Sequence, residues 1–328
     1  MPLVKKKILL TGSSGYIGNC LKKFLNKKYN VYFIDKKKLS KNEKNFFLCN
    51  ILNKKKVEDI IKKINPDIII HLAGQSTIDA IKNKKSYIYN NVLATNILLK
   101  LIKKNNIKYF IFSSTAAVYK SSNYKLLENS KKNPKNIYGQ TKSVCEKNII
   151  KNLKNSSQKF IIFRFFNACS ALNNFKVGER HNPETHLIPI IVNKFLKKKY
   201  VKIYSKNITK TCIRDYVHIY DLCNAMHKGV DHLIKRNKSN IFNIGSDKSY
   251  SVWSVVNYFN NHFAGKKLKF IFTKKRLGDL YKLVCSNSKI KRILKWKPTK
   301  SKLNIIFRDE LIWQKYLMKK SIKRTLIY

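Results

Sequence analysis

Lys7-Ile-Leu-Leu-Thr11-Gly12-Ser-Ser-Gly15-Tyr-Ile-Gly18 is the stretch that decides the fold. An apolar run of strand length ends at Thr11, and a helix-like pattern over residues 17–26 follows the glycines. Glycines so placed let the backbone turn sharply and lie against a pyrophosphate, whose charge the helix N-terminus then meets. A lone glycine loop is weak evidence, since it also reads as a plain turn. Here three of only ten glycines fall within seven residues, directly after a strand, so a dinucleotide site is the better reading.

Working outward, the same rhythm repeats. Apolar strands are expected at 29–35, 66–72, 108–113 and 160–164, with helices at 87–104 and 138–154. Continuous apolar strands are buried on both faces, which predicts a Rossmann-type, doubly wound parallel α/β sheet. From Asn167 the rhythm weakens, so residues 1–166 are expected to form the dinucleotide-binding domain and 167–328 a smaller C-terminal α/β substrate domain. A strand near 239–245 is expected to return to the first sheet. Asp35 ends the second strand seventeen residues beyond Gly18, the spacing at which a carboxylate takes a ribose 2′-hydroxyl and repels a 2′-phosphate. Lys36, Lys37 and Lys38 beside it could argue for NADP, but lysine is everywhere in this chain, and NAD is the expectation.

The 328 residues include 70 Lys and Arg against 17 Asp and Glu, a net charge of +53. Such a charge invites a nucleic-acid reading. Average usage of about 7% Gly and 5% Pro would give roughly 23 and 16 of them, however, and the chain has 10 and 6. Lys, Asn, Ile, Phe and Tyr are plentiful instead, as in a genome biased toward A/T. The lysines run from Lys5 to Lys323 without one basic tail, so they read as a solvated surface and no specific nucleic-acid partner is expected. Seven cysteines, never as C-x-x-C, give neither a disulfide framework nor a cysteine zinc site, and no metal is expected. Without a signal-peptide pattern or an apolar run of about 18 residues, the expected place is the cytoplasm, away from membranes.

Tyr138 and Lys142 stand four apart near the start of a predicted helix, on one face. Tyr32 with Lys36 and Tyr316 with Lys320 share that spacing, so context must separate them. Ser113-Ser-Thr115 supplies it, at the end of a parallel strand where open α/β sheets bind ligands. An ammonium beside a phenol favours the phenolate, which makes a base near neutral pH.

These residues, with Leu72-Ala-Gly74, Tyr89-Asn90-Asn91-Val, Tyr138-Gly-Gln-Thr-Lys142 and Arg164-Phe-Phe-Asn167, resemble the extended short-chain dehydrogenase/reductase family. Gly178-Glu-Arg-His-Asn-Pro-Glu-Thr-His186-Leu-Ile-Pro, Cys212-Ile-Arg214-Asp-Tyr and Arg276-Leu-Gly-Asp279 are similar, within that family, to the UDP-glucose 4-epimerase branch. The resemblance implies that NAD is surrounded by Gly12, Gly15, Tyr16, Ile17, Gly18, Asp35, Asn50, Ile51, Leu72, Ala73, Gly74, Asn90, Lys142 and Phe166. It implies that Thr115, Tyr138 and Asn167 meet the sugar, and that His186, Leu187, Ile203, Tyr204, Arg214, Arg276 and Asp279 hold UDP. Arg214 and Arg276 suit phosphate oxygens, and Asp279 suits a ribose diol. Ion pairs of Arg214 with Asp215 or Asp221, or of Arg276 with Asp279, are the purely structural alternative.

The implied activity is interconversion of UDP-glucose and UDP-galactose through a 4-keto sugar, with Tyr138, Lys142 and Thr115 catalytic, in a homodimer joined through helices 87–104 and 138–154. A 4-epimerase of UDP-N-acetylglucosamine or UDP-glucuronate, or a UDP-glucuronate decarboxylase, shares the scaffold. A 4,6-dehydratase does not fit, because Ala116-Ala117 stands where that branch carries its Asp-Glu pair. From another class comes a non-catalytic NAD- or polyanion-binding protein.

Overall fold

The computed structural model describes residues 5–39, 43–76, 83–181, 183–274 and 279–325. Strands β1 (Lys7–Thr11), β2 (Asn30–Asp35), β3 (Phe46–Leu48), β4 (Ile68–His71), β5 (Tyr109–Thr115), β6 (Lys159–Phe165) and β7 (Asn240–Ile244) form one sheet. Its order is β7-β6-β5-β4-β1-β2-β3, and every pair is parallel. The order reverses between β1 and β4, the switch point at which such sheets open a crevice.

The apolar runs are continuous because both faces are covered. Ile8, Leu10, Ile68, Ile70, Ile111, Ile161 and Phe163 pack with α1 (Tyr16–Leu25), α6 (Ile219–Arg236) and α8 (Ser288–Leu294). Their neighbours Leu9, Ile69, Phe110, Phe112 and Ile162 pack with α2 (Lys54–Ile64), α3 (Ala94–Lys104) and α4 (Ile137–Leu153) on the other side. More than the expected strand therefore returns from beyond residue 167, since α6 and α8 join the first core as well. A separate apolar core forms where α5 (Leu187–Leu196) and α7 (Val252–His262) meet α9 (Leu303–Thr325), around Ile191, Phe259 and Phe307.

One local feature departs from the expectation. The helix at 87–104 is interrupted, with a short helix Lys84–Tyr87 and a π turn Ile88–Leu93 before α3. Several turns are closed in the left-handed conformation without glycine: Asn65, Asn237 and Lys295 end α2, α6 and α8 with φ of 49° each. Glycine usually takes that place because a Cβ is strained there.

Candidate active site

A cleft of about 1610 Å³ opens at the carboxyl ends of the strands. Every residue assigned above to cofactor or sugar nucleotide lines it, apart from Arg276, which lies outside the described residues. Residues 168 positions apart in sequence, such as Gly18 and His186, thus share one space.

The glycine loop fits a pyrophosphate by three observations. A Cβ on Gly12, whose φ is +70°, would sit 2.4 Å from Ala73 N, and one on Gly18 would sit 2.2 Å from Gly12 O. The loop is therefore as close to its neighbours as backbone can be. Asn53, Asn136 and Ser251 cap α2, α4 and α7 with side-chain hydrogen bonds, whereas α1 has no side-chain cap. Gly15, Tyr16, Ile17 and Gly18 at its N-terminus line the cleft, and an uncapped helix start of this kind receives an anion. Asp35 ends β2 on the cleft wall, its carboxylate accepting from Ser14 N at 2.9 Å and Lys37 N at 3.2 Å, which fixes it beside the loop.

Beneath the loop lies a buried polar chain. Thr11 Oγ1 and His71 Nδ1 are 2.8 Å apart, His71 Nε2 and Thr95 Oγ1 3.2 Å, and Thr95 donates to Asn91 O at 2.7 Å. Burial, and then the charge of Lys142, push His71 down to about 3 from 6.5. Because the folded value is the lower one, the unfolded chain takes up the proton first as pH falls. The group's contribution to stability is complete above pH 6.5 and is lost between 6.5 and about 3. Between pH 6 and 4 the wild type is expected to lose about 1.4 kcal/mol per pH unit more than His71→Gln, read from urea unfolding at each pH. Parallel acid limbs for the two proteins would refute this.

Tyr138 and Lys142 share the inner face of α4. Asn136 caps the helix by accepting from Gly139 N at 2.8 Å. A Cβ on Gly139 would come within 2.4 Å of Ala117 O, so glycine lets this helix press against the end of β5. Thr115 forms a side-chain hydrogen bond with Tyr138. Asn91, in the π turn, donates to Thr141 Oγ1 at 3.0 Å, and Thr141 donates to Tyr138 O at 2.9 Å. The Lys142 ammonium is buried, donates to Ser113 O at 2.8 Å and lies 4.5 Å from the centre of the Phe112 ring. Burial pushes Lys142 down to about 8. Burial pushes Tyr138 up to about 12, with the Thr115 hydrogen bond opposing it, and the ammonium spends one of its three donors on Ser113 O.

On the opposite wall, Arg214 Nη2 is 3.7 Å from Asp279 Oδ1, and Nη1 donates to Ile213 O and Tyr281 O. Neither aspartate weighed as its structural partner is available. Asp215 accepts from Ser246 and from the Asp247 and Cys285 backbone, and Asp221 accepts from Thr299, Lys300 and Ser301. The geometry adds residues that the sequence reading did not single out: Gln75, Asn193, Lys194, Lys197 and Lys202 line the cleft, as do Glu179, His181 and Glu184. Behind Ser114, Arg164 makes two bonds to Glu146, Nε to Oε1 at 2.8 Å and Nη2 to Oε2 at 2.7 Å. Ser114 Oγ and Lys132 Nζ donate to the same carboxylate.

The NAD dependent epimerase/dehydratase family model matches residues 8–245. UDP-glucose 4-epimerase of Halalkalibacterium halodurans is 31% identical over 94% of this chain and 95% of its own length. Among solved structures, UDP-glucose 4-epimerase from Brucella ovis in complex with NAD is 27% identical, with a TM-score of 0.84 over 93% of this chain and 97% of that one. The Bifidobacterium longum enzyme in complex with NAD⁺ and UDP is 25% identical, with a TM-score of 0.86 over 95% and 98%. With the match extending through the glycine loop, α4 and the returning strand, the chain belongs to the NAD dependent epimerase/dehydratase family.

Proposed function

We propose that this protein catalyses the NAD-dependent interconversion of UDP-glucose and UDP-galactose. One observation carries the reading: the glycine loop, the Thr115–Tyr138–Lys142 group and Arg214 with Asp279 line a single continuous cleft. Bound NAD supplies the acceptor, and then the donor, of the hydride at C4 of the hexose. Gly12, Gly15 and the N-terminus of α1 receive its pyrophosphate, and Asp35 receives an adenosine ribose hydroxyl pair. Tyr138 takes the proton of the 4-hydroxyl and returns it to O4 once the turned 4-keto sugar has taken the hydride back on its other face. Thr115 holds the same hydroxyl through its hydrogen bond with the phenol, and Lys142 fixes the end of β5 through Ser113 O. Arg214 and Asp279 grip the nucleotide while few side chains grip the hexose, which leaves the ring free to turn between the two proton transfers.

In this reading residues 1–166 with β7, α6 and α8 carry the cofactor, and the rest of 167–328 carries the sugar nucleotide. Product analysis with UDP-galactose, UDP-N-acetylgalactosamine and UDP-galacturonate as separate substrates tests it. UDP-glucose formed from UDP-galactose is the expected result, and no turnover together with salt-sensitive RNA binding would replace the enzyme with a binding protein. Arg214→Met is expected to raise the KM for UDP-galactose about 10–100-fold with kcat little changed, as for loss of a hydrogen bond to a charged group. An unaltered KM would remove Arg214 from the nucleotide site.

The protein acts as a homodimer in this reading. Ile88, Tyr89, Leu93 and Val144 stand exposed on the two helices expected at the two-fold. A dimer mass in sedimentation equilibrium, lost in Leu93→Lys, is the expected outcome. Cytoplasmic residence is supported by seven free cysteines, all buried. Among the described residues no helix is long and apolar enough to cross a membrane.

A further inference from the structure

Four side chains converge on the lip of the cleft just ahead of α5: Glu179, His181, Glu184 and His186. One ligand atom from each lies within 4.8 Å of all the others. Glu179 is fully buried, and its Oε2 has no hydrogen-bond partner among the described residues. In a chain with 70 Lys and Arg, the ion-pair contacts of Glu179 among the described residues are with the two histidines alone.

The separations discriminate between two ways of balancing these charges. Two imidazolium protons would draw each nitrogen to about 2.7–2.9 Å from a carboxylate oxygen. A tetrahedral zinc-type ion at about 2.0–2.2 Å from each ligand sets the ligand atoms roughly 3.3–3.6 Å apart. His181 Nδ1 is 3.3 Å from Glu179 Oε1 and 3.8 Å from Glu184 Oε1, and His186 Nδ1 is 3.6 Å from Glu184 Oε1. Only the His186–Glu179 contact is closer. The 3.3 and 3.6 Å separations thus match edges of a coordination tetrahedron better than hydrogen bonds, and the 3.8 Å one is slightly longer than such an edge. The set is also braced. Glu184 Oε1 accepts from the Thr185 and His186 backbone at 2.8 and 2.9 Å, and Trp313 Nε1 donates to Glu179 O at 2.7 Å. Outer contacts of this kind orient metal ligands before the ion arrives.

We propose that Glu179, His181, Glu184 and His186 bind one divalent transition-metal ion of the zinc class, fastening the 179–186 loop against the cleft. Two imidazoles and two carboxylates suit zinc or cobalt and disfavour magnesium, which prefers oxygen alone. The ion takes no part in the reaction. It fixes the segment that brings His186 and Leu187 to the cleft.

The test uses the untagged full chain, stripped with EDTA and titrated with Co²⁺ and then Zn²⁺. One Co²⁺ per chain is expected, with the intense visible absorption of a tetrahedral site, bleached by Zn²⁺ and untouched by Mg²⁺. Zn²⁺ is expected to raise the melting temperature of the wild type. His181→Asn and Glu184→Gln, at two partly exposed positions, should each weaken Co²⁺ binding at least tenfold while keeping the wild-type circular dichroism. Absence of saturable Co²⁺ binding, or binding equal in wild type and both variants, would overturn the proposal. No UDP-sugar enters this assay, so its failure and a failure of the proposed activity are separate results.

Discussion

Replacing Tyr138 by phenylalanine is expected to lower kcat for UDP-galactose by about 10²–10⁴-fold, the range for loss of a positioned general base. The ring keeps its place, because α4 is held by the Asn136 cap and by the Asn91–Thr141–Tyr138 chain of bonds, none of which uses the phenol oxygen. The KM for UDP-galactose, the NAD content and the melting temperature are therefore expected to stay near wild type, and the loss should fall on kcat alone. Chromatographic separation of UDP-glucose from UDP-galactose over a time course reads the effect directly. Inversion at the wild-type rate would remove Tyr138 from the mechanism and, with it, the reading of the Thr115 hydrogen bond. Burial pushes this phenol up to about 12, so the rate of the wild type is expected to rise with pH as the phenol loses its proton. In Tyr138→Phe that limb should vanish.

The largest effect on stability is expected from Arg164→Met. Arg164 and Glu146 are 1% and 0% exposed and joined by two bonds, and the arginine also reaches Tyr119 Oη at 2.6 Å and Glu128 O at 2.7 Å. Burial raises Glu146, but the charges and bonds of Arg164 and Lys132 together outweigh it and hold the carboxyl below its usual range. Removing the guanidinium leaves a buried carboxylate with only Lys132 and Ser114, a change that costs about 3–5 kcal/mol. Urea unfolding at pH 7 should show it as a lower midpoint with an unchanged slope. Arg164→Met combined with Glu146→Leu should recover much of the loss, because two apolar side chains leave no charge stranded. A single variant within 1 kcal/mol of wild type would show that water or another cation replaces the guanidinium.

The parts of this fold that were legible in the sequence are those buried on two sides. β1, β4, β5 and β6 read as strands because both of their faces are apolar, and β7 read as a returning strand for the same reason. β3 was not legible: it is three residues at the sheet edge, partly exposed, and carries no pattern longer than Phe46-Phe-Leu48. α2 was hidden by Lys54-Lys-Lys, although Val57, Ile60, Ile61 and Ile64 keep helical spacing. The π turn Ile88–Leu93 leaves no mark in composition, since it changes hydrogen-bond register and not residue type. Of the site, the glycine loop and the Tyr138–Lys142 pair could be read because local spacing creates them. The Arg214–Asp279 contact joins residues 65 apart, and Arg164–Glu146 joins a strand to a helix, so sequence neighbours pointed to the wrong aspartates for Arg214. The Glu-x-His-x-x-Glu-x-His run is local in sequence, but only the fold shows that its four side chains converge.

The left-handed turns closed by asparagine and lysine bear on how this protein responds to heat. Glycine at Lys198 or Lys295, where φ is 53° and 49°, would relieve up to about 1–2 kcal/mol of backbone strain apiece, less what glycine adds to the freedom of the unfolded chain. Both residues lie outside the cleft lining. The molecule thus holds thermal headroom in reserve at its periphery, in a chain where glycine is scarce.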